Sequence, residues 1–309
     1  MTEAARRQQG TVYGFLAYLL WGAFPLYFHL LRPAGPWEIL AHRIVWTLLL
    51  CGLLLLLLRD VRWLGRLVRR PRRLGGVALA GALIATNWGI YTWAVLSGHV
   101  TEAALGYFLN PLVTVALGVV ILGERLRRLQ WTAVVIGTVA AVYLTFDYGA
   151  PPWVSLALAF SFATYSLLKN RLGVSLTPLQ SLTGESLVIL PVAVVILLWL
   201  DRTGGTTFGG HGALHTALLV STGVATAVPL ILFAAAASRV PLSTIGLLQF
   251  LTPFLQLLTG VLLLGEVVPA TRWVGFAMVW VALVVLSVDM VRQVRRSRRT
   301  RRDLVHPAP

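Results

Sequence analysis

The charged residues inside long apolar runs are the side chains of this protein that are best placed to do chemistry. Arg43 and Glu185 lie deepest in such runs, and their residue numbers differ by 142. An ionisable group within lipid costs about 2.5–3.5 kcal/mol on insertion scales, so each one needs a compensating partner or a function. We predict that Arg43 and Glu185 contact each other, directly or through a polar neighbour, either in a functional site or as a purely structural pair.

Four other ionisable side chains form two pairs with helical spacing. Glu38 and His42 are four residues apart and share one helical face. Because His titrates near neutral pH, this pair is suited to relaying protons. The alternative is a carboxylate favoured by the positive end of its helix, beside a hydrogen-bonded His. His211 and His215 have the same spacing but lie near a Gly-rich segment. No set of residues has the spacing of metal ligands, so we expect neither a metal nor a cofactor.

Amide and aromatic side chains recur on the faces of several apolar runs. They are Asn87, Trp88 and Tyr91, then Tyr107 and Asn110, then Gln249 and Gln256, with Tyr18, Trp21 and Phe28 near the amino terminus. Pro25, Pro111 and Pro253 fall within these runs, and helix breaks at membrane depth are tolerated where they face a cavity. The set predicts a polar and aromatic cavity that holds a solute. The alternative is ordinary helix packing, in which amides bond across helices.

The elements that position these residues are long apolar segments. The 309 residues are 57% apolar and 12% charged, against roughly 45–50% and about 25% in soluble domains. About 20 apolar residues cross a bilayer. Ten such runs are present, at 11–31, 36–58, 74–96, 101–122, 129–147, 150–168, 179–200, 213–235, 241–264 and 270–291. The sequence therefore predicts an all-α polytopic membrane protein with ten transmembrane helices.

The basic residues predict how these helices are oriented. Of the 26 Lys and Arg residues, 22 fall on one side of the predicted membrane, including Lys169 in the loop after the sixth run. Three fall on the other side, and Arg43 lies within a run. By the positive-inside rule both termini are cytoplasmic, as expected for a multi-pass protein of the inner (plasma) membrane. Because the Arg clusters adjoin membrane helices, they predict contact with anionic lipids rather than with nucleic acid.

An internal repeat relates the two halves of the chain. Leu109, Pro111 and the following Gly-Glu recur 142 residues later, at Leu251, Pro253 and the Gly-Glu of 265–266. We infer two halves, 1–148 and 149–309, each with five helices. Because five is odd, the second half enters the membrane from the opposite side, and such inverted repeats are a signature of secondary transporters. The absence of a Walker loop and of a nucleophile elbow argues against ATP-driven pumping and against an enzyme.

Several motifs carry a resemblance that covers nearly the whole chain. Residues 38–43 read Glu-Ile-Leu-Ala-His-Arg, residues 106–112 read Gly-Tyr-Phe-Leu-Asn-Pro-Leu, and residues 243–246 read Ser-Thr-Ile-Gly. These runs resemble the RarD-type members of the EamA family, in the drug/metabolite transporter superfamily. The resemblance implies a ten-helix inner-membrane transporter. We therefore predict alternating-access transport of a small metabolite or drug-like solute; the alternatives are a lipid flippase and a non-transporting membrane partner.

Overall fold

A computed structural model describes residues 3–96, 100–148, 153–172, 175–263 and 269–271, and residues 273–278, 280–282, 284–285, 288–289 and 292. Regular secondary structure within these ranges is entirely helical. The helices are α1 (Glu3–Gly22), α2 (Phe24–Leu30), α3 (Pro36–Leu57), α4 (Arg62–Val68), α5 (Pro71–Leu96), α6 (Val100–Leu122), α7 (Arg128–Tyr148), α8 (Trp153–Leu172), α9 (Pro178–Thr203), α10 (Gly212–Ala237), α11 (Leu242–Leu248) and α12 (Leu251–Leu258). A π-helical turn (Thr259–Leu263) follows, and the described residues of 270–292 are also helical.

The apolar runs coincide with these helices. Each of the second to eighth runs corresponds to one helix, while the first and ninth are each divided between two. By length and composition, five of the described helices can cross a membrane, namely α3, α5, α7, α9 and α10. Helices α1 and α2 together form a sixth candidate, bent by 42°. The chain is therefore an all-helical, polytopic membrane protein.

Two of the three proline positions coincide with helix breaks. Pro25 lies in the first turn of α2, and Pro253 lies in the first turn of α12. A missing N–H is harmless there, because the first N–H groups of a helix have no intrahelical acceptor. The break predicted at Pro111 is absent, since α6 continues through this residue. The helix that contains Pro111 is thus continuous, whereas the chain around Pro253 is divided between α11 and α12.

Helix α9 has the clearest local signals at both ends. The Thr177 hydroxyl accepts a hydrogen bond from the Gln180 backbone N–H, and the Gln180 side chain accepts one from Thr177 N. This reciprocal capping box satisfies two backbone donors at the helix start. At the other end Gly204 adopts φ of 69°, a left-handed conformation that is favourable for glycine. These signals set the position of Glu185 two turns inside α9.

Helices from the first half of the chain pack mainly against helices from the second half. The closest packed pairs are α6 with α8, α3 with α9, α3 with α10, and α1 with α10. Gly223 of α10 allows one close approach, since a Cβ atom there would lie 2.6 Å from the Trp46 carbonyl group of α3. Small residues at helix contacts are a common feature of membrane proteins.

Helices α3 and α9 run in opposite directions. The Gln180 side chain at the start of α9 donates to Asp60, just beyond the end of α3. At the other end, Glu38 at the start of α3 accepts hydrogen bonds from Thr207, just beyond the end of α9. Positions counted from the start of each helix therefore lie near opposite ends of the pair.

The outer surface of the helices is rich in large apolar side chains. Leu53, Leu57 and Val195 are 54%, 70% and 66% exposed. A water-facing surface does not tolerate such continuous apolar area, whereas lipid does. The polar side chains discussed next are buried between the helices instead.

Candidate functional site

A cavity lies between helices of both halves and encloses about 610 Å³ of space, including the part that opens toward solvent. The lining combines one cation with amides, a hydroxyl and aromatic rings. The lining residues are Tyr18, Trp21, Phe24, Arg43, Asn87, Trp88, Tyr91, Tyr107, Asn110, Phe162, Gln249, Thr252 and Gln256.

Most of the site residues predicted from sequence meet in this cavity. Eight of them line it: Arg43, Asn87, Trp88, Tyr91, Tyr107, Asn110, Gln249 and Gln256. They come from α3, α5, α6 and the segment from the end of α11 into α12. Glu38, His42 and Glu185 do not line it. The faces with amide and aromatic residues therefore converge, and the acidic candidates lie elsewhere.

Arg43 is the cation of the cavity and is only 4% exposed. Its Nε donates to the Thr226 hydroxyl of α10 at 3.0 Å. Its guanidinium lies 4.3 Å from the centroid of a Trp88 ring and 5.5 Å from those of Phe24 and Phe28. These are cation–π distances. None of the ion pairs formed between the described residues includes Arg43.

The amides of the cavity differ in how far the protein satisfies them. Asn87 donates to the Leu158 carbonyl and the Ser161 hydroxyl, both at 3.0 Å, and thereby joins α5 to α8. Gln249 Oε1 accepts from Thr114 at 3.2 Å. In contrast, Asn110 Oδ1 and Gln249 Nε2 are buried and have no hydrogen-bond partner among the described residues. The Tyr18 hydroxyl is likewise buried without a described partner, so the cavity presents an amide oxygen, an amide N–H₂ group and a hydroxyl that the described residues leave unpaired.

Glu38 and His42 form a structural anchor beside the cavity. Glu38 accepts hydrogen bonds from the Thr206 hydroxyl, from the hydroxyl and backbone N–H of Thr207, and from the backbone N–H of Phe208. His42 Nδ1 accepts from the Trp46 indole, and its ring stacks on that of Phe208. The distance of 3.9 Å between His42 Nε2 and Glu38 Oε1 is too long for a hydrogen bond. This geometry favours the hydrogen-bonded alternative over a proton relay.

Glu185 belongs to a second buried cluster. Its Oε1 lies 2.5 Å from Lys169 Nζ of α8, and both side chains are 1% exposed. The Ser181 hydroxyl donates to the same oxygen at 2.7 Å, and the Tyr165 hydroxyl donates to Oε2 at 3.1 Å. Lys169 also donates to Ser181. The carboxylate is therefore fully engaged by neighbours on α8 and α9.

The predicted contact between Arg43 and Glu185 is wrong. Each follows the start of its own helix by the same number of residues, and these helices are antiparallel, so the two side chains lie near opposite ends. Their described partners also differ, since Arg43 contacts Thr226 whereas Glu185 contacts Lys169, Ser181 and Tyr165. Residues related by a pseudo-two-fold axis meet only when they lie close to that axis.

An aromatic layer separates the cavity from the buried ion pair. The rings of Tyr18, Trp21 and Phe162 line the cavity. The ring of Phe233 is 5.6 Å from that of Phe162 and stacks at 5.9 Å on Tyr165, whose hydroxyl reaches Glu185. Layered aromatic contacts of this kind exclude water and pack rigidly.

Sequence reasoning missed Lys169, which had been placed in a loop. Helix α8 extends to Leu172, so Lys169 lies within it and is only 2% exposed. The available signal was composition, because Lys169 is the single Lys among 26 basic residues. Thr226, the partner of Arg43, was missed because hydroxyl residues are common in apolar helices and α10 also carries Ser221 and Thr222.

A polytopic helical protein with a mixed polar and aromatic cavity between its two halves belongs to the class of membrane proteins that handle small solutes. The EamA-like transporter family model matches the chain twice, over residues 8–146 and 152–288. The chain therefore belongs to the EamA-like transporter family and is a membrane transporter.

Curated relatives cover nearly the full chain. The chain is 52% identical to Protein RarD of Streptomyces exfoliatus, covering 94% of this chain and 92% of the relative. It is 36% identical to Protein RarD of Escherichia coli, covering 94% and 97%. It is 33% identical to the Chloramphenicol-sensitive protein RarD of Pseudomonas aeruginosa, covering 92% and 95%. These similarities establish a RarD-type member of the family.

A solved crystal structure shares the fold. It superposes with a TM-score of 0.68 at 19% identity, covering 90% of this chain and 97% of the other. At this identity the likeness concerns the fold alone.

Proposed function

We propose that this protein is a secondary transporter that moves a small metabolite or drug-like solute by alternating access. The observation that carries the proposal is the cavity, which side chains from both halves line together. If the halves rock against each other, a site at their interface is exposed to each side of the membrane in turn. The double match of the family model supports a division into two halves, 1–148 and 149–309.

The proposed topology has ten transmembrane helices in two inverted repeats, with both termini in the cytoplasm of a bacterial cell. The distribution of 22 of the 26 basic residues supports this orientation. In this topology the Lys169–Glu185 ion pair lies on the cytoplasmic side of the cavity, beneath the aromatic layer. Exposed Arg62 and Arg66 on α4 would contact anionic lipid headgroups.

Cysteine labelling in membrane vesicles tests the cavity and its access. Cys51 is buried, so Cys51→Ala gives a silent background. Asn87→Cys and Gln256→Cys should react with a membrane-impermeant thiol reagent, while Val195→Cys on the lipid-facing surface should not. We expect the cavity positions to react from either side of the membrane, depending on the conformation. If neither position reacts from either side, the solute pathway is refuted.

Solute uptake into vesicles that contain only this protein tests transport itself. The name of the Pseudomonas relative makes chloramphenicol one solute to include. Uptake above that of empty vesicles supports a transporter. A protein that binds solutes but moves none would act as a non-transporting partner, and movement of fluorescent phospholipids alone would identify a flippase.

A further inference from the structure

The cavity holds a buried positive charge with no acidic partner among the described residues. Of the five N–H groups of the Arg43 guanidinium, only the one on Nε donates to a described protein oxygen, that of Thr226. A buried charge is costly unless it is paired, and a bilayer offers no water to solvate it. The two terminal nitrogens are therefore available to a ligand.

The nearby carboxylates are already engaged. Glu38 on the same helix uses both oxygens to hold residues 206–208. Glu185 is paired with Lys169 and forms no ion pair with Arg43. Neither of these two carboxylates pairs with Arg43, so a ligand that enters the cavity can supply its counter-charge.

The surroundings of Arg43 restrict the shape of such a ligand. Trp88 lies against the guanidinium at 4.3 Å, and the Tyr91 and Tyr107 rings meet edge to face at 5.4 Å. A flat apolar body fits against aromatic walls of this kind. Asn110 Oδ1 and Gln249 Nε2 are both buried, lack a partner and line the same cavity. They provide one acceptor and one donor for further polar groups.

We propose that the cavity binds a small organic monoanion whose carboxylate pairs with the terminal nitrogens of Arg43 and whose flat apolar part lies against Trp88 and Tyr107. The planar guanidinium matches a carboxylate in two parallel hydrogen bonds. The described lining contains no acidic side chain, so a second, positive group on the ligand gains no ion pair there. The proposal deepens the transporter function above, because it names the substrate class of the same cavity.

Binding to the purified full-length protein in detergent tests this site without requiring transport. Titration calorimetry would compare 3-phenylpropionate with its uncharged amide, with L-phenylalanine and with sodium chloride. We expect the carboxylate to bind at least about tenfold more tightly than the amide, since hydrogen bonds to charged groups are the stronger ones. We also expect it to bind more tightly than phenylalanine, whose ammonium finds no acidic partner.

Variants locate the effect at the guanidinium. Arg43→Gln should remove the preference for the carboxylate, while Arg43→Lys should keep part of it, because the charge remains but the planar fork is lost. Arg66→Gln, on the exposed face of α4, is the matched control and should bind like the unmodified chain. The comparison of carboxylate with amide on the unmodified protein remains decisive if Arg43→Gln does not fold.

Three results would overturn the proposal: equal affinity for acid and amide, an unchanged preference in Arg43→Gln, or chloride binding with no affinity for the organic acid. Tighter binding of phenylalanine would overturn the monoanion class. The outcomes remain distinct from those of the transport assay. If the protein binds the anion but moves no solute into vesicles, the proposed transport is refuted and the proposed anion site stands. If it takes up neutral solutes but shows no preference for the anion, the anion site is refuted and the proposed transport stands.

Discussion

The Lys169–Glu185 ion pair allows a quantitative test of how α8 and α9 are joined. At a distance of 2.5 Å and an effective dielectric constant of about 20, the attraction between the two charges is about 7 kcal/mol. Removing two ions from water costs several kcal/mol for each, so the pair as a whole contributes little net stability. Removing one partner is different, because the other charge remains buried at 1% exposure.

We expect Lys169→Met and Glu185→Gln each to lower the free energy of unfolding by about 3–5 kcal/mol. The double variant should lose much less than the sum, since neither charge is then left alone. Gln at position 185 retains one acceptor oxygen for either the Ser181 or the Tyr165 hydroxyl, which donate to different oxygens of Glu185. The pair should therefore show a favourable coupling energy of about 2 kcal/mol or more in a double-mutant cycle.

The assay is unfolding in mixed micelles, followed by tryptophan fluorescence and extrapolated to zero denaturant. The exposed pair of Arg7 and Glu3 provides a matched control, with side chains 55% and 78% exposed. Glu3→Gln should change stability by no more than about 1 kcal/mol, as for other surface ion pairs. If the losses from Lys169→Met and Glu185→Gln simply add, the two side chains do not form the buried pair, and the reasoning fails.

Three further predictions concern packing and loops, and the same unfolding assay measures the first and third. Gly223→Ala should destabilise the protein by about 1–3 kcal/mol, because the new methyl group meets the backbone of α3. The control substitution Gly52→Ala places a methyl group that meets nothing within 4 Å and should be neutral or stabilising. Equal effects of the two substitutions would contradict the close approach of α10 to α3. Glu38→Ala should make residues 204–211 more susceptible to protease, since this carboxylate holds the backbone of the loop, and an unchanged cleavage rate would disprove that role. Thr177→Ala should cost about 1 kcal/mol through loss of the capping box, while Thr177→Ser should cost much less.

Local sequence features predicted the helices well because membrane helices depend on local physics. Every backbone polar group of such a helix bonds within its own segment, so a run of about 20 apolar residues is sufficient evidence for it. Seven runs coincide with single helices, and five of these helices are long and apolar enough to cross a membrane. Proline was less informative. Pro25 and Pro253 accompany breaks, whereas α6 continues through Pro111, because neighbouring groups can compensate for one lost hydrogen bond.

The cavity was partly predictable, because its residues form stripes at helical spacing. Amides and aromatics on one face of an apolar helix must pack against another helix or line a space. Ten predicted residues meet in that space, namely the eight given above together with Tyr18 and Trp21. Phe24, Phe162 and Thr252 were not predicted, since nothing in their type or spacing distinguishes them from ordinary residues of a membrane helix.

The sequence by itself determined the helical membrane architecture, the family and the polar faces, because hydropathy, charge bias and motifs are readable along a single chain. Only the tertiary structure decided the partners of the charged groups. Arg43 faces the cavity beside Trp88, and Glu185 pairs instead with Lys169. The physical reason is that the partner of a buried charge depends on the direction and depth of helices distant in sequence. The antiparallel packing of α3 and α9 separates two residues whose numbers differ by the 142-residue offset found in the sequence.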